Sequence, residues 1–325
     1  MALILRSSPR TRCNSGSPKT YGRRCRQCSQ GRKQTSNDRG KKRMKTLTIL
    51  GVALALASFG CDSSSGGNGG AGSQAVTIQF AAKVGVDDFV CGATYDNLGA
   101  NGNSLQLGDF RLYVQEVELK NADGDYVAVA LTSDENPWQT GNATLLDFED
   151  ACNDAGTPEM NTVVTGTVPT GTYDGLRFKM GVPFELNHEN PATADSPLNL
   201  TTMQWNWQGG YKFLRLDSGT FSMTDWRMHL GSTACDGDPV AGGTTICDNP
   251  NRTDAEFASF DPANDTVVAD FASLVEGAEL DVNQPETPFG CMAGPTDGDC
   301  APIFDNLGLP FGGSEAGTQQ FFSVE

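Results

Sequence analysis

His188 and His229 are the only two histidines in the 325-residue chain, and each sits among aromatic or apolar neighbours. Imidazole suits copper and zinc, above all in an oxidising compartment where free thiolates are unavailable. A chain that keeps only two could therefore use them as a ligand pair. The plainer reading is that each is an ordinary hydrogen-bonded histidine, because nothing local brings them together. Between them runs Met203-Gln204-Trp205-Asn206-Trp207-Gln208-Gly209-Gly210-Tyr211-Lys212-Phe213. In a strand Trp205 and Trp207 project to the same face. Such a pair can close a core as an aromatic ladder, or present indoles on which sugars stack. No nucleophile-centred triad stands out, and two histidines leave few general bases near neutral pH. The chain is not expected to be an enzyme.

The cysteines bear on compartment. Beyond the first seventy or so residues stand Cys91, Cys152, Cys235, Cys247, Cys291 and Cys300. An even set in an exported chain predicts three disulfides. Short loops favour Cys235–Cys247 and Cys291–Cys300, which leaves Cys91–Cys152; a thiolate metal cluster is the competing reading. Cys25 and Cys28 form a CxxC without a second ligand pair at a suitable distance, so they carry no zinc reading.

Export is written at the start of the chain. From Met44 the sequence MKTLTILGVALALASFGC has a Lys-bearing start, an apolar run from Leu47 to Phe59 and a small residue before Cys61. That is the pattern of a signal peptide over 44–60. Residues 1–43 then read as upstream sequence brought in by an early start codon. Ser58-Phe59-Gly60-Cys61 resembles a bacterial lipobox without its usual aliphatic residue, and makes Cys61 the expected lipidation site. The following CDSSSGGNGGAGSQ reads as a flexible tether over 61–75. A periplasmic or cell-envelope lipoprotein is expected. Residues 1–45 hold fourteen of the 23 Lys and Arg but one of the 40 acidic residues, so the exported part is strongly acidic. That charge argues against nucleic acid or an anionic membrane surface as partner. Only the lipid would hold the protein to a membrane.

Beyond the tether, at 76–325, the elements that must position these residues are strands. Val76, Ile78 and Phe80 alternate with polar residues, as do Leu176, Phe178 and Met180, the period of a half-buried strand. Phe110, Leu112 and Val114 do the same before the parity changes at Val117 and Leu119, which predicts a bulge. Asn121 to Asp125 reads as a hairpin turn ahead of a calcium loop. Helical periodicity is clearest at Val267, Phe271, Leu274 and Val275, with Gly277 as a C-terminal stop. The expectation is an all-β fold: one large β-sandwich with long disulfide-stapled loops and one short helix.

Several ordered motifs sharpen this. GVPFELNHENP, MQWNWQGGYKFLRLD, HLGSTAC followed by CDNPNR, and GCMAGPTDGDC with IFDNLGLPFGG resemble the MbnP family, also called metallo-mystery pair four-Cys motif proteins. The resemblance runs from about Thr77 to the C terminus. It implies a copper-binding protein of the periplasm whose gene accompanies that of a MauG-like dihaem cytochrome c peroxidase. That partner oxidises a family tryptophan to kynurenine, which completes a copper site. Carried over by motif, His188 and His229 match the imidazole ligands and Trp205 and Trp207 the WxW element, one of which would be modified. Opening the indole exposes an aniline nitrogen, whereas intact indole offers only an N–H donor. Cys91, Cys152, Cys235 and Cys247 match the four-cysteine pattern, with Cys291 and Cys300 as a third bridge. The rival is a carbohydrate-binding or adhesion module with calcium in its acidic loops; a copper oxidase is a remoter third.

Overall fold

The computed structural model describes residues 72–152, 156–206, 209–219, 225–238 and 243–325. The segment expected to be a signal peptide, Cys61, Cys25, Cys28 and Trp207 lie outside the described residues.

Alternation along the chain builds two sheets that face each other. In the first, strand Ser73–Val84 lies between Thr266–Asp270, which runs parallel to it, and the antiparallel Val163–Pro169, with Phe322–Val324 and Ala130–Leu131 outermost. Pairing of Ser73–Ala75 with Thr167–Pro169 starts this strand three residues before Val76, the expected first residue after the tether. The second sheet is organised on Asn103–Asn121, flanked by Tyr173–Met180 and Leu214–Ser218; Thr253–Phe257 and Arg227–Leu230 follow on either side, and Ala143–Asp147 also pairs with the long strand. Ile78 and Phe80 from one sheet and Leu112, Phe178 and Leu216 from the other are buried between them. Phe80 and Phe178 meet edge-to-face with centroids 5.5 Å apart, the contact expected of two packed sheets. The all-β sandwich expectation holds.

The predicted parity change is a real bulge. Gln115 pairs with Lys179 and Glu118 with Arg177, so the long strand gains a residue there, and Glu116 takes a φ of 50°. The hairpin reading also holds: Asn121 Oδ1 accepts from the N–H groups of Asp123 and Asp125 at 2.9 Å.

The helix is shorter than its periodicity suggests. Val267 belongs to strand Thr266–Asp270, opposite Phe80, and only Phe271–Leu274 is helical. Asp270 divides the two: its carboxylate accepts from the N–H of Ala272 and Ser273, an N-cap that starts the turn where the strand stops. Phe184–Asn187 and Ala301–Asn306 are two further short helices. The disulfides pair as loop lengths suggest: Cys91–Cys152, Cys235–Cys247 and Cys291–Cys300.

Candidate metal centre

One face of the second sheet is charged yet buried. Strand register sets Arg215 opposite both Arg111 and His229, Asp217 opposite Asp109 and Arg227, and Asp147 opposite Arg111. Directly paired residues share a face, so these side chains form one continuous layer. Asp109, Arg111, Asp147, Arg215 and Asp217 are almost wholly inaccessible. Charges so placed need partners. Arg111 Nε donates to Asp109 Oδ1 at 2.9 Å, and Arg215 Nε to Asp217 Oδ2 at 2.7 Å. The roof is the segment around Pro197 to Met203. Its Thr202 carbonyl accepts from Arg215 Nη1 at 3.0 Å and Lys212 Nζ at 2.6 Å, while Tyr113 and Tyr211 donate to the carbonyls of Pro197 and Leu198.

His229 ends this layer. Its Nε2 lies 2.7 Å from Asp217 Oδ1, and the residue is 3% exposed. Burial, outweighing the hydrogen bond and charge of Asp217, pushes its pKa down to about 4. Burial alone would raise Asp217, but the hydrogen bond and charge of His229 and the charge of Arg215 prevail and bring it to about 2. At neutral pH the pair is therefore a neutral imidazole beside a carboxylate. An ionised carboxylate only accepts, so Nε2 holds the ring proton and the lone pair is on Nδ1. That Nδ1 is buried and has no hydrogen-bond partner among the described residues.

His188 follows the helix Phe184–Asn187 as its C-cap, its ring edge-on to Phe184. It faces the Cys235–Cys247 disulfide, with Nε2 3.7 Å from Cys247 Sγ. Asn187 holds it in place: Asn187 Oδ1 accepts from the Tyr211 N–H at 3.0 Å, which leaves Nδ2 3.2 Å from His188 Nε2. His188, Cys235 and Cys247 bring three ligand-type atoms within 4.8 Å of one another, as do Cys91, Asp150 and Cys152. Sulfurs joined in a disulfide are not thiolates, so neither group is a metal cage. Neither group contains His229.

Trp205, on the short strand Gln204–Asn206, is half-buried and lines an open pocket of roughly 430 Å³ with Ser232, Cys235 and Met292. Its ring lies against Gly231, two residues beyond His229 in the chain. Tyr211 joins the parts: its N–H holds Asn187, beside His188, and its carbonyl lies against Gly231. The structure thus connects His188, Trp205 and His229 through Tyr211 and Gly231. Sequence reading missed Asp217, Asn187 and the charged layer. The only signal was alternation in Asp109-Phe110-Arg111, Arg215-Leu216-Asp217 and Arg227-Met228-His229, which resembles an ordinary solvated face.

A family model described as MbnP matches residues 73–293. Among solved structures, MbnP from Methylosinus trichosporium is 31% identical and aligns with a TM-score of 0.68, over 78% of this chain and 98% of that one. No curated protein matches the sequence.

Proposed function

The chain belongs to the MbnP family, and from that premise we propose that it is an exported copper-binding protein, itself not an enzyme. The supporting observation is His229: a buried imidazole with Nε2 held by a carboxylate and Nδ1 without a partner among the described residues. A metal-bound histidine commonly has this arrangement, its second nitrogen donating to a carboxylate. A buried lone pair left unmatched is otherwise a net cost. Imidazole nitrogen is also a donor that copper accepts readily.

His188 is the second imidazole of this reading, and kynurenine formed from Trp205 or Trp207 adds an aniline nitrogen. The MauG-like dihaem partner would supply the oxidising equivalents, and Cys61 would anchor the product in the envelope. Trp205 stands at an open pocket on Gly231, where the ring-opened, more polar side chain has space.

The test compares copper stoichiometry after dialysis for protein made with and without the dihaem partner, and for His188→Ala, His229→Ala, Trp205→Phe and Trp207→Phe made with it. Tight copper should require both histidines and the partner. One tryptophan substitution should abolish both the tight copper and the mass change in which one oxygen replaces one carbon. Equal copper in all samples, or glycan binding indifferent to His188→Ala, would sink the reading in favour of an adhesion module.

A further inference from the structure

We propose that Asp217 is a positioning residue that selects which nitrogen of His229 faces the metal, and that Arg215 enforces the selection by occupying the other carboxylate oxygen. The use of that nitrogen rests on the copper reading; the selection itself does not.

Asp217 Oδ2 accepts from Arg215 Nε at 2.7 Å and has Nη2 in ion-pair contact at 2.6 Å, while Oδ1 is 2.7 Å from His229 Nε2. Arg227 Nε stands 4.0 Å from the same Oδ1. Arg215 is held from other directions as well: Nη1 donates to the Thr202 carbonyl at 3.0 Å, and Nε is 3.1 Å from Asp109 Oδ2. Asp109 is gripped by Arg111, whose Nη1 is 3.6 Å from Glu149 Oε1. The carboxylate therefore has no second orientation to adopt. Its Oδ1 can only accept, so the ring must donate from Nε2 and keep its lone pair on Nδ1.

The chain holds the reverse arrangement at its other histidine. Asn187 Oδ1 is taken by the Tyr211 N–H, so an amide N–H₂ faces His188 Nε2, the nitrogen that carries the lone pair in the metal-free protein. Asn at 217 would reproduce that polarity. Arg215 demands an acceptor where Oδ2 now lies, so the amide oxygen would turn there and its N–H₂ would face His229 Nε2. The ring proton would then move to Nδ1, the atom on which ligation depends.

The experiment is a long-range ¹H–¹⁵N correlation spectrum of the metal-free protein near neutral pH, with His188→Gln identifying the His229 signals. The expected pattern for His229 is the Nε2–H tautomer, changing to Nδ1–H in Asp217→Asn. Copper affinity of Asp217→Asn should fall about 10–100-fold. An Nδ1–H pattern in the unsubstituted protein overturns the inference without any need for the variant to fold, and so does an unchanged tautomer in a folded Asp217→Asn. A switched tautomer with undiminished copper leaves the positioning role standing and removes His229 from the copper site.

Discussion

The six-membered ring of Trp205 lies so close to Gly231 that a Cβ at 231 would come within 2.7 Å of Trp205 Cζ3 and of the Tyr211 carbonyl oxygen. Gly231 thus sets the position of the indole, since the second obstacle is backbone and cannot give way. Gly231→Ala should destabilise the fold by about 1–3 kcal/mol, the usual cost of overpacking, as read from urea denaturation. On the proposed function, the same variant made with the proposed dihaem partner should contain less kynurenine by mass if Trp205 is the residue modified. A stability equal to that of the parent would contradict the close approach of both Trp205 and the Tyr211 carbonyl to position 231.

The disulfides should differ in what they contribute. Cys91–Cys152 spans 61 residues, against 12 and 9 for the other two. In the chain-entropy model this is worth about 4.3 kcal/mol against roughly 2.6–2.8 kcal/mol. Cys91→Ala with Cys152→Ala should lower the thermal midpoint more than either other double substitution. Alkylation of the folded, unreduced protein should label none of the six.

Asp147 supplies a pH dependence of known sign. Burial raises its pKa to about 7, outweighing the charge of Arg111. Between about pH 4 and 7 the folded protein keeps a proton on Asp147 that the unfolded chain has released, so its contribution to stability falls as pH rises through that window. Asp147→Asn removes this term. The stability of the parent relative to Asp147→Asn should therefore be greatest near pH 4.5 and decline toward pH 7.5, by a few kcal/mol at most. Thermal midpoints measured at intervals across that range would check it; a constant difference would contradict it.

Asn187 offers the converse of the Asp217 test. Its Oδ1 already accepts from Tyr211, so Asn187→Asp would turn a second acceptor toward His188 Nε2. The ring should respond by carrying its proton on Nε2, visible in the same correlation spectra. If the tautomer does not change, the amide is not what orients this ring.

How much of this was legible in advance differs by element. The alternation at Ile78 and Phe80, the parity change at Val117 and the Asn121 turn follow from local rules of period and turn chemistry, and each is found in the structure. Loop length alone suggested the disulfide pairs. The segment at 266–277 misled because Val267 satisfies a helical period and a strand period equally well; pairing with Phe80 and the cap at Asp270 decide between them.

By itself, the sequence determined the sandwich, its staples and the family motifs that single out His188, His229, Trp205 and Trp207. Tertiary structure alone decided that the charged face is buried and that His229 therefore ends in a fixed carboxylate. The reason is physical. A strand's period reports which residues share a face, whereas what covers that face is set by distant chain, here the segment around Thr202 lying over Arg111 and Arg215. Once covered, the same alternation that would be a solvated surface becomes an ordered array of ions, and only that burial leaves Nδ1 of His229 without a partner among the described residues.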